Sequence, residues 1–294
     1  MKTLYFDCFS GISGDMVIGA LLDAGADQDV LQNELKKLGI EQEYALHMNK
    51  VIKKGLSATK FDVELSPAKS APSSKLELQL HGHHHEDHAE YNHSHSHQHH
   101  EDHKQDHHHE GHHEHNHFHN HDHQHRHYQD IITMIQSSSL SEKVKETALN
   151  IFDQIGRAEA KMHQVPVETV HFHEVGAVDS IIDIVGAAIL VHDLGIEKFE
   201  SSPVPVGSGH IHIDHGIYPI PAPATLDILR EVPLRQSDIK GELTTPTGAA
   251  IIKALCDEYG TIPSMTVQSV GYGAGTKDFA QHPNVLRVLI GRRK

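Results

Sequence analysis

The sequence predicts an α/β protein with a mixed sheet, flanking helices and one long disordered insertion. Three observations carry this. An apolar, β-prone opening (Thr3 to Phe6) runs through a Ser/Gly turn into a helix-like stretch, the usual start of an α/β unit. Helix and strand patterns then alternate to the C-terminus, ending in two strand-like runs. Between them, residues His81 to His127 hold 23 of the 32 histidines of the 294-residue chain and too few aliphatic side chains to build a core.

Each element has its own justification. The first helix reads from Asp15 to Ala24, stopped by Gly25, and a second from Asp29 to Leu38, closed by Gly39. Tyr44 to Met48 and Ser57 to Leu65 are expected strands, the latter alternating through Phe61, Val63 and Leu65. Residues 1–66 therefore form the first part of the body. Residues 67–128 are the linker and histidine-rich insertion, placed where a long loop is thermodynamically tolerable. Residues 129–294 form the remainder. In that part Ser139 to Glu142 resembles a capping box. Leu140, Val144, Ala148, Ile151, Phe152, Ile155 and Met162 keep helical spacing behind it. Val178 to Leu194 reads as a more uniformly apolar helix ended by Gly195, and Pro203 to Ile213 as extended chain broken by glycines. Helices are expected over Ala224 to Glu231 and Thr247 to Tyr259, and strands over Val267 to Val270 and Val285 to Ile290.

Composition narrows the function classes. The formal charge of −15 offers no basic face for nucleic acid. The insertion contributes −7 of it, from nine acids and two bases. Two separated cysteines, Cys8 and Cys256, make neither a disulfide framework nor a thiolate zinc site. Cys8 beside the first strand could meet a thiolate-loving metal, or simply pack in the core. No run reads as a secretory signal or a bilayer span, so a cytoplasmic protein without membrane contact is expected.

The insertion points to metal. Neutral imidazole is a ligand for nickel, copper, zinc and iron, and most of these side chains are uncharged at cytosolic pH. His83, His84, His85, His107, His108, His109, His112 and His113 lie in its densest clusters, with Glu101, Asp102, Glu110 and Asp122 interleaved to attract cations. Many ligands on a flexible chain favour capture and hand-off over one rigid cage. The clusters do not name the metal, since any nitrogen site prefers copper.

Three constellations in the body carry chemistry. Asp7, Ser10, Gly11, Ser13, Gly14 and Asp15 form an acid followed by a small-residue turn into a helix, able to offer backbone N–H groups to a phosphate. A capped βα turn requires the same residues, and neither standard nucleotide fingerprint is present. In the run from His171 to Asp183, His171 and His173 share a face if extended. Asp179 and Asp183 share one face of a helix that is otherwise apolar. Buried carboxylates are costly unless paired or cation-bound, so His173, Glu174, Asp179 and Asp183 are candidates for a catalytic or metal cluster. A hydrogen-bonded polar seam is the alternative. His210, His212 and Asp214 would point one way from an extended segment, as an N/N/O ligand set or as a solvated face over Ile211 and Ile213. Two weaker signals are Thr244 to Gly248, a helix start able to touch phosphate, and Gly271 to Gly275 with Lys277, a glycine turn able to cradle an anion.

Taken together these residues resemble the LarC family of nickel-insertion proteins. The resemblance rests on Tyr5 to Asp7, Ser10 to Met16, Phe172 to Gly186, Pro219 to Ala224, Thr245 to Ala250 and Gly271 to Asp278, in order along the body. It implies a chelatase that places Ni²⁺ into pyridinium-3,5-bisthiocarboxylic acid mononucleotide, forming one nickel–carbon and two nickel–sulfur bonds. CTP is hydrolysed with Mg²⁺ or Mn²⁺ assisting, and lactate racemase apoprotein receives the product. It further implies a C-terminal CTP-binding domain beyond the Arg292-Arg-Lys294 ending, so that a separate C-terminal chain is an expected partner. The competing reading is a non-catalytic nickel store or metallochaperone.

Overall fold

The computed structural model describes residues 1–66, 126–172, 177–213, 216–280 and 282–293. These belong to one compact unit, Met1–Ala68 with His123–Lys294; a second unit, Lys69–Asp122, lies outside the described residues, and with it the expectation of disorder there.

A seven-stranded mixed sheet organises the body. Its strands are β1 (Lys2–Asp7), β2 (Tyr44–Lys53), β3 (Leu56–Leu65), β4 (Lys198–Ser201), β5 (Glu258–Tyr259), β6 (Met265–Ala274) and β7 (Val285–Arg293). Their order in space is β5-β4-β1-β7-β6-β3-β2. β1 runs parallel to β4 and antiparallel to β7, so the two ends of the chain sit side by side at its centre. β6 touches β3 only at Gly273 and Ala274, which leaves the hairpin of β2 and β3 splayed from the rest.

The helices are α1 (Gly14–Asp23), α2 (Gln28–Leu35), α3 (Tyr128–Ser137), α4 (Glu142–His163), α5 (Val178–Asp193), α6 (Pro223–Ile228) and α7 (Pro246–Leu255). α1 lies on β3 and β6, and it lies very close. A methyl group at Gly273 would meet the Met16 carbonyl at 1.8 Å, and one at Gly271 the Ala20 carbonyl at 2.0 Å. These two glycines let α1 lie close on β6 from Met16 to Ala24. α5 packs on α1 and α4 through fully buried Ile181, Ile182, Ile184 and Val185. Each such side chain contributes roughly 1.5–3 kcal/mol on leaving water.

The mixed α/β class is as expected, with local differences. Ser141, not Ser139, caps α4, its hydroxyl accepting from Val144 N–H at 3.4 Å. Met162 projects outward near the helix end, 39% exposed, because the core it was expected to reach stops at Ala158. α6 ends at Ile228, three residues early. α7 ends at Leu255, and Glu258–Tyr259 joins the sheet edge instead, held by Glu258 to Lys198 and to Arg293 (2.8 Å). Helix α3 follows directly on the histidine-rich segment and was not expected.

Candidate functional site

Three helices begin at one place. The first turns of α1, α5 and α7 line a cleft of about 450 Å³, closed on its other side by β3 and by the chain between β6 and β7. Each helix N-terminus carries about half a positive charge and free N–H groups, so their convergence favours an anion. Lys60 of β3 and Lys277 stand in the same walls, each ion-paired with lining acids, Asp15 and Asp62 for Lys60 and Glu242 for Lys277.

The turn from β1 into α1 is held by residues that do not themselves face the cleft. Gly11 has φ +95°, and a methyl group there would lie 1.9 Å from the Leu243 carbonyl, so this close crossing requires glycine. Ile12 N–H donates to that carbonyl at 3.0 Å, and Ser10 Oγ donates to the Pro283 carbonyl at 2.6 Å. Ser13, Gly14 and Asp15 then line the cleft. α1 has no side-chain cap on its first turn, since Ser13 Oγ donates to Asp15 Oδ1 instead. Asp7 lies elsewhere. Its neighbours Leu4 and Phe6 are buried beneath the helices, so strand alternation turns Asp7 to the opposite face of the sheet. There Arg287 Nε donates to Asp7 Oδ2 at 2.8 Å and Nη2 donates to the same oxygen.

The floor of the cleft is acidic. Asp179 and Asp183, one turn apart on α5, both line it. Asp183 accepts the Asp15 backbone N–H, and its carboxylate packs so tightly on α1 that a methyl group at Gly14 would fall 2.5 Å from Oδ2. Its other oxygen, Oδ1, is buried and has no hydrogen-bond partner. Burial first, then the negative charges of Asp15 and Asp179, push the Asp183 carboxyl well above the usual carboxylate range; Lys60 opposes them. Lys60 Nζ donates to Asp15 Oδ2 at 3.0 Å and to the Phe61 carbonyl at 2.9 Å, and pairs with Asp62. Burial alone would lower this ammonium, but the two aspartates outweigh it and hold it above its ordinary value. Across the cleft, burial raises Glu242, with Lys277 offsetting part of the rise. The cleft thus sets helix N-termini and two lysines against a floor of carboxylates, one of them with a raised affinity for a proton.

The other expected site residues fall in separate places. His210 and His212 lie exposed on a small hairpin, His210–Ile213 against Gly216–Pro219, and do not line the cleft. His171 is exposed on an isolated bridge with His127. His173, Glu174, Asp214 and the eight named tract histidines lie outside the described residues. Among the described residues no group of three or more His, Cys, Asp or Glu could hold a metal ion. Cys8 is core, with burial pushing its thiol up to about 12. Of the weaker sequence signals, Thr245, Thr247, Gly275 and Lys277 line the cleft. Lys60, Asp62, Glu242 and Asn284 were not anticipated, and nothing in their local spacing marks them.

Fold and cleft together define an α/β protein with a cleft at which three helix N-termini meet a cluster of acids and two lysines. The family model described as nickel insertion protein matches residues 4–294, and the chain belongs to that family. It is similar to proteins named pyridinium-3,5-bisthiocarboxylic acid mononucleotide nickel insertion protein from several bacteria. The one from Geobacillus kaustophilus is 48% identical over 99% of this chain and 60% of its own length. That of Desulfitobacterium hafniense is 43% identical over 99% and 58%, and that of Staphylococcus epidermidis 42% over 98% and 59%. The chain thus spans about 60% of the length of these curated relatives. No solved structure matches it.

Proposed function

We propose that this chain binds a pyridinium dithio mononucleotide in the cleft and takes part in inserting Ni²⁺ into it. One observation carries the reading: a buried, partnerless carboxylate oxygen of Asp183 lies at the floor of a cleft whose rim is made of helix N-termini. In this reading the phosphate sits at the first turns of α1 and α7 with Lys277, and the ring points toward α5. In this reading the arriving Ni²⁺ is held by the two sulfurs of the substrate as the ring carbon approaches it. As the nickel–carbon bond forms, the ring carbon gives its C–H electron pair to the metal and Asp183 accepts the proton. Burial first, then Asp15 and Asp179, raises the proton affinity of that carboxylate, which is what a general base requires. His173 and Glu174, on the segment leading to α5, remain candidates for the same chemistry.

The cleft suits one mononucleotide-sized ligand. CTP with Mg²⁺ or Mn²⁺ therefore belongs, in this reading, to the part of the relatives that this chain does not span. That part is supplied by the same polypeptide or by a separate chain. The product's recipient is lactate racemase apoprotein, and the setting is cytoplasmic; no described helix is long and apolar enough to cross a membrane.

The test is incubation of the purified chain with Ni²⁺, CTP, Mg²⁺ and the dithio mononucleotide, with and without the region of a longer relative that this chain does not span. Nickel should enter the ligand in the complete mixture. Its failure to do so with every component present ends the proposal. A second reading, a nickel store, is favoured by the 23 histidines between His81 and His127. Deleting residues 81–126 separates the two. An inserting protein keeps its rate when Ni²⁺ is plentiful, whereas a store loses its binding stoichiometry.

A further inference from the structure

The last histidine of the tract is docked on the body. His127 forms an antiparallel bridge with His171, and Tyr128 N–H donates to the Val170 carbonyl at 3.1 Å. The two imidazoles meet with ring centroids 3.9 Å apart and planes at 63°. Both are exposed. The backbone beneath them is fixed from below. The rings of Tyr128 and Phe172 stand edge to face at 5.9 Å, and a methyl group at Gly156 would come within 2.6 Å of the Tyr128 ring. His127 N–H also donates to Asp130 Oδ2 at 3.3 Å, which fixes the backbone at the start of α3.

We propose that His127 and His171 form a transfer site through which a late first-row divalent cation passes from the histidine tract toward the cleft. Two exposed imidazoles on paired backbone positions can swing slightly apart to share one ion at the usual metal–nitrogen distance of about 2.0–2.1 Å. The backbones are held by the bridge, so little ordering accompanies binding. A site with two protein ligands and open positions binds more weakly than a tract with many, and an ion held there can be taken onward. In sequence, His127 ends the tract and His171 stands eight residues before Asp179 of the cleft. The rival account is a ring contact that merely pins the root of the tract.

The role in transfer rests on the nickel-insertion reading; the existence of the site does not, and the experiment keeps them apart. Backbone amide signals of the full chain are recorded with increasing Ni²⁺, a paramagnetic probe, for wild type and for the double variant His127→Ala/His171→Ala. Tyr128, Val170 and Phe172 should broaden beyond detection in wild type and persist in the variant. Equal broadening in both overturns the site. Should alanine disturb the bridge, seen as lost Tyr128 amide protection, the pair His127→Gln/His171→Gln replaces it. In the second arm, protein preloaded with Ni²⁺ is mixed with the dithio mononucleotide and the remaining components. Loss of the pair should slow insertion about tenfold, with a large excess of free Ni²⁺ restoring the rate. An unchanged rate overturns the transfer role. Absence of insertion in wild type would sink the functional reading, while the broadening still decides the site.

Discussion

Asp7 and Asp183 are both largely buried carboxylates at the ends of the body's central elements, yet the protein treats them in opposite ways. Asp7 faces the far side of the sheet, where the Arg287 guanidinium donates to it from two nitrogens. Asp183 faces the cleft, with one oxygen on a backbone N–H, the other unpaired, and two further acids beside it. A buried charge that is paired serves the fold at little net gain; one left without a partner is a standing cost that the fold alone does not explain. The difference separates an acid that holds strands together from one kept ready for a ligand or a proton.

Substituting both residues should break the comparison if it is wrong. Asp183→Asn keeps the acceptor for the Asp15 N–H and removes the charge. Insertion should fall by roughly 10²–10⁴-fold, the usual weight of a general base, while folding stability holds or rises. Full insertion by this variant would remove Asp183 from the chemistry. Asp7→Ala should do the reverse. It strands the Arg287 guanidinium, which is partly open to water, so the loss is about 2 kcal/mol, read as a lower urea midpoint. Insertion per folded molecule should be kept. A collapse of turnover in a stable Asp7→Ala protein would show that the two faces of the sheet are not separate in function.

What the sequence disclosed follows the range of the interactions. The strand, turn and helix from Lys2 to Asp23 are local, as is the spacing that puts Asp179 and Asp183 on one side of α5. Those were readable. The choice of Asp7 as a phosphate-side residue was not safe, because one step of strand alternation turns it to the other face, and only the register with Arg287 reveals this. Helix α3 was hidden because only Ile131 and Ile135 are fully buried in it and histidines crowd its start. Glu258–Tyr259 continued a helical pattern on paper, but its edge position beside Lys198 and Arg293 decided otherwise. The cleft itself is a tertiary product. Lys60 meets Asp15 across 45 residues, and the three helix N-termini come from widely separated segments.

The finest distinction between the two acids is their response to pH. Asp183 has a raised carboxyl in the folded protein and an ordinary one, near 3.9, when unfolded. The folded state therefore binds its proton more tightly. This proton-linked stabilisation is complete below the unfolded value and is lost as pH climbs through the folded one. Wild type should lose melting temperature relative to Asp183→Asn as pH rises from about 4, with the gap levelling once the folded carboxyl has ionised. Dithio mononucleotide bound without nickel should shift the onset, because its anionic end adds negative charge to the cleft and raises Asp183 further. Melts of the two proteins across pH, with and without that ligand, measure this directly. Parallel curves would mean that Asp183 ionises like a surface carboxylate, and its claim to be the waiting base would be lost.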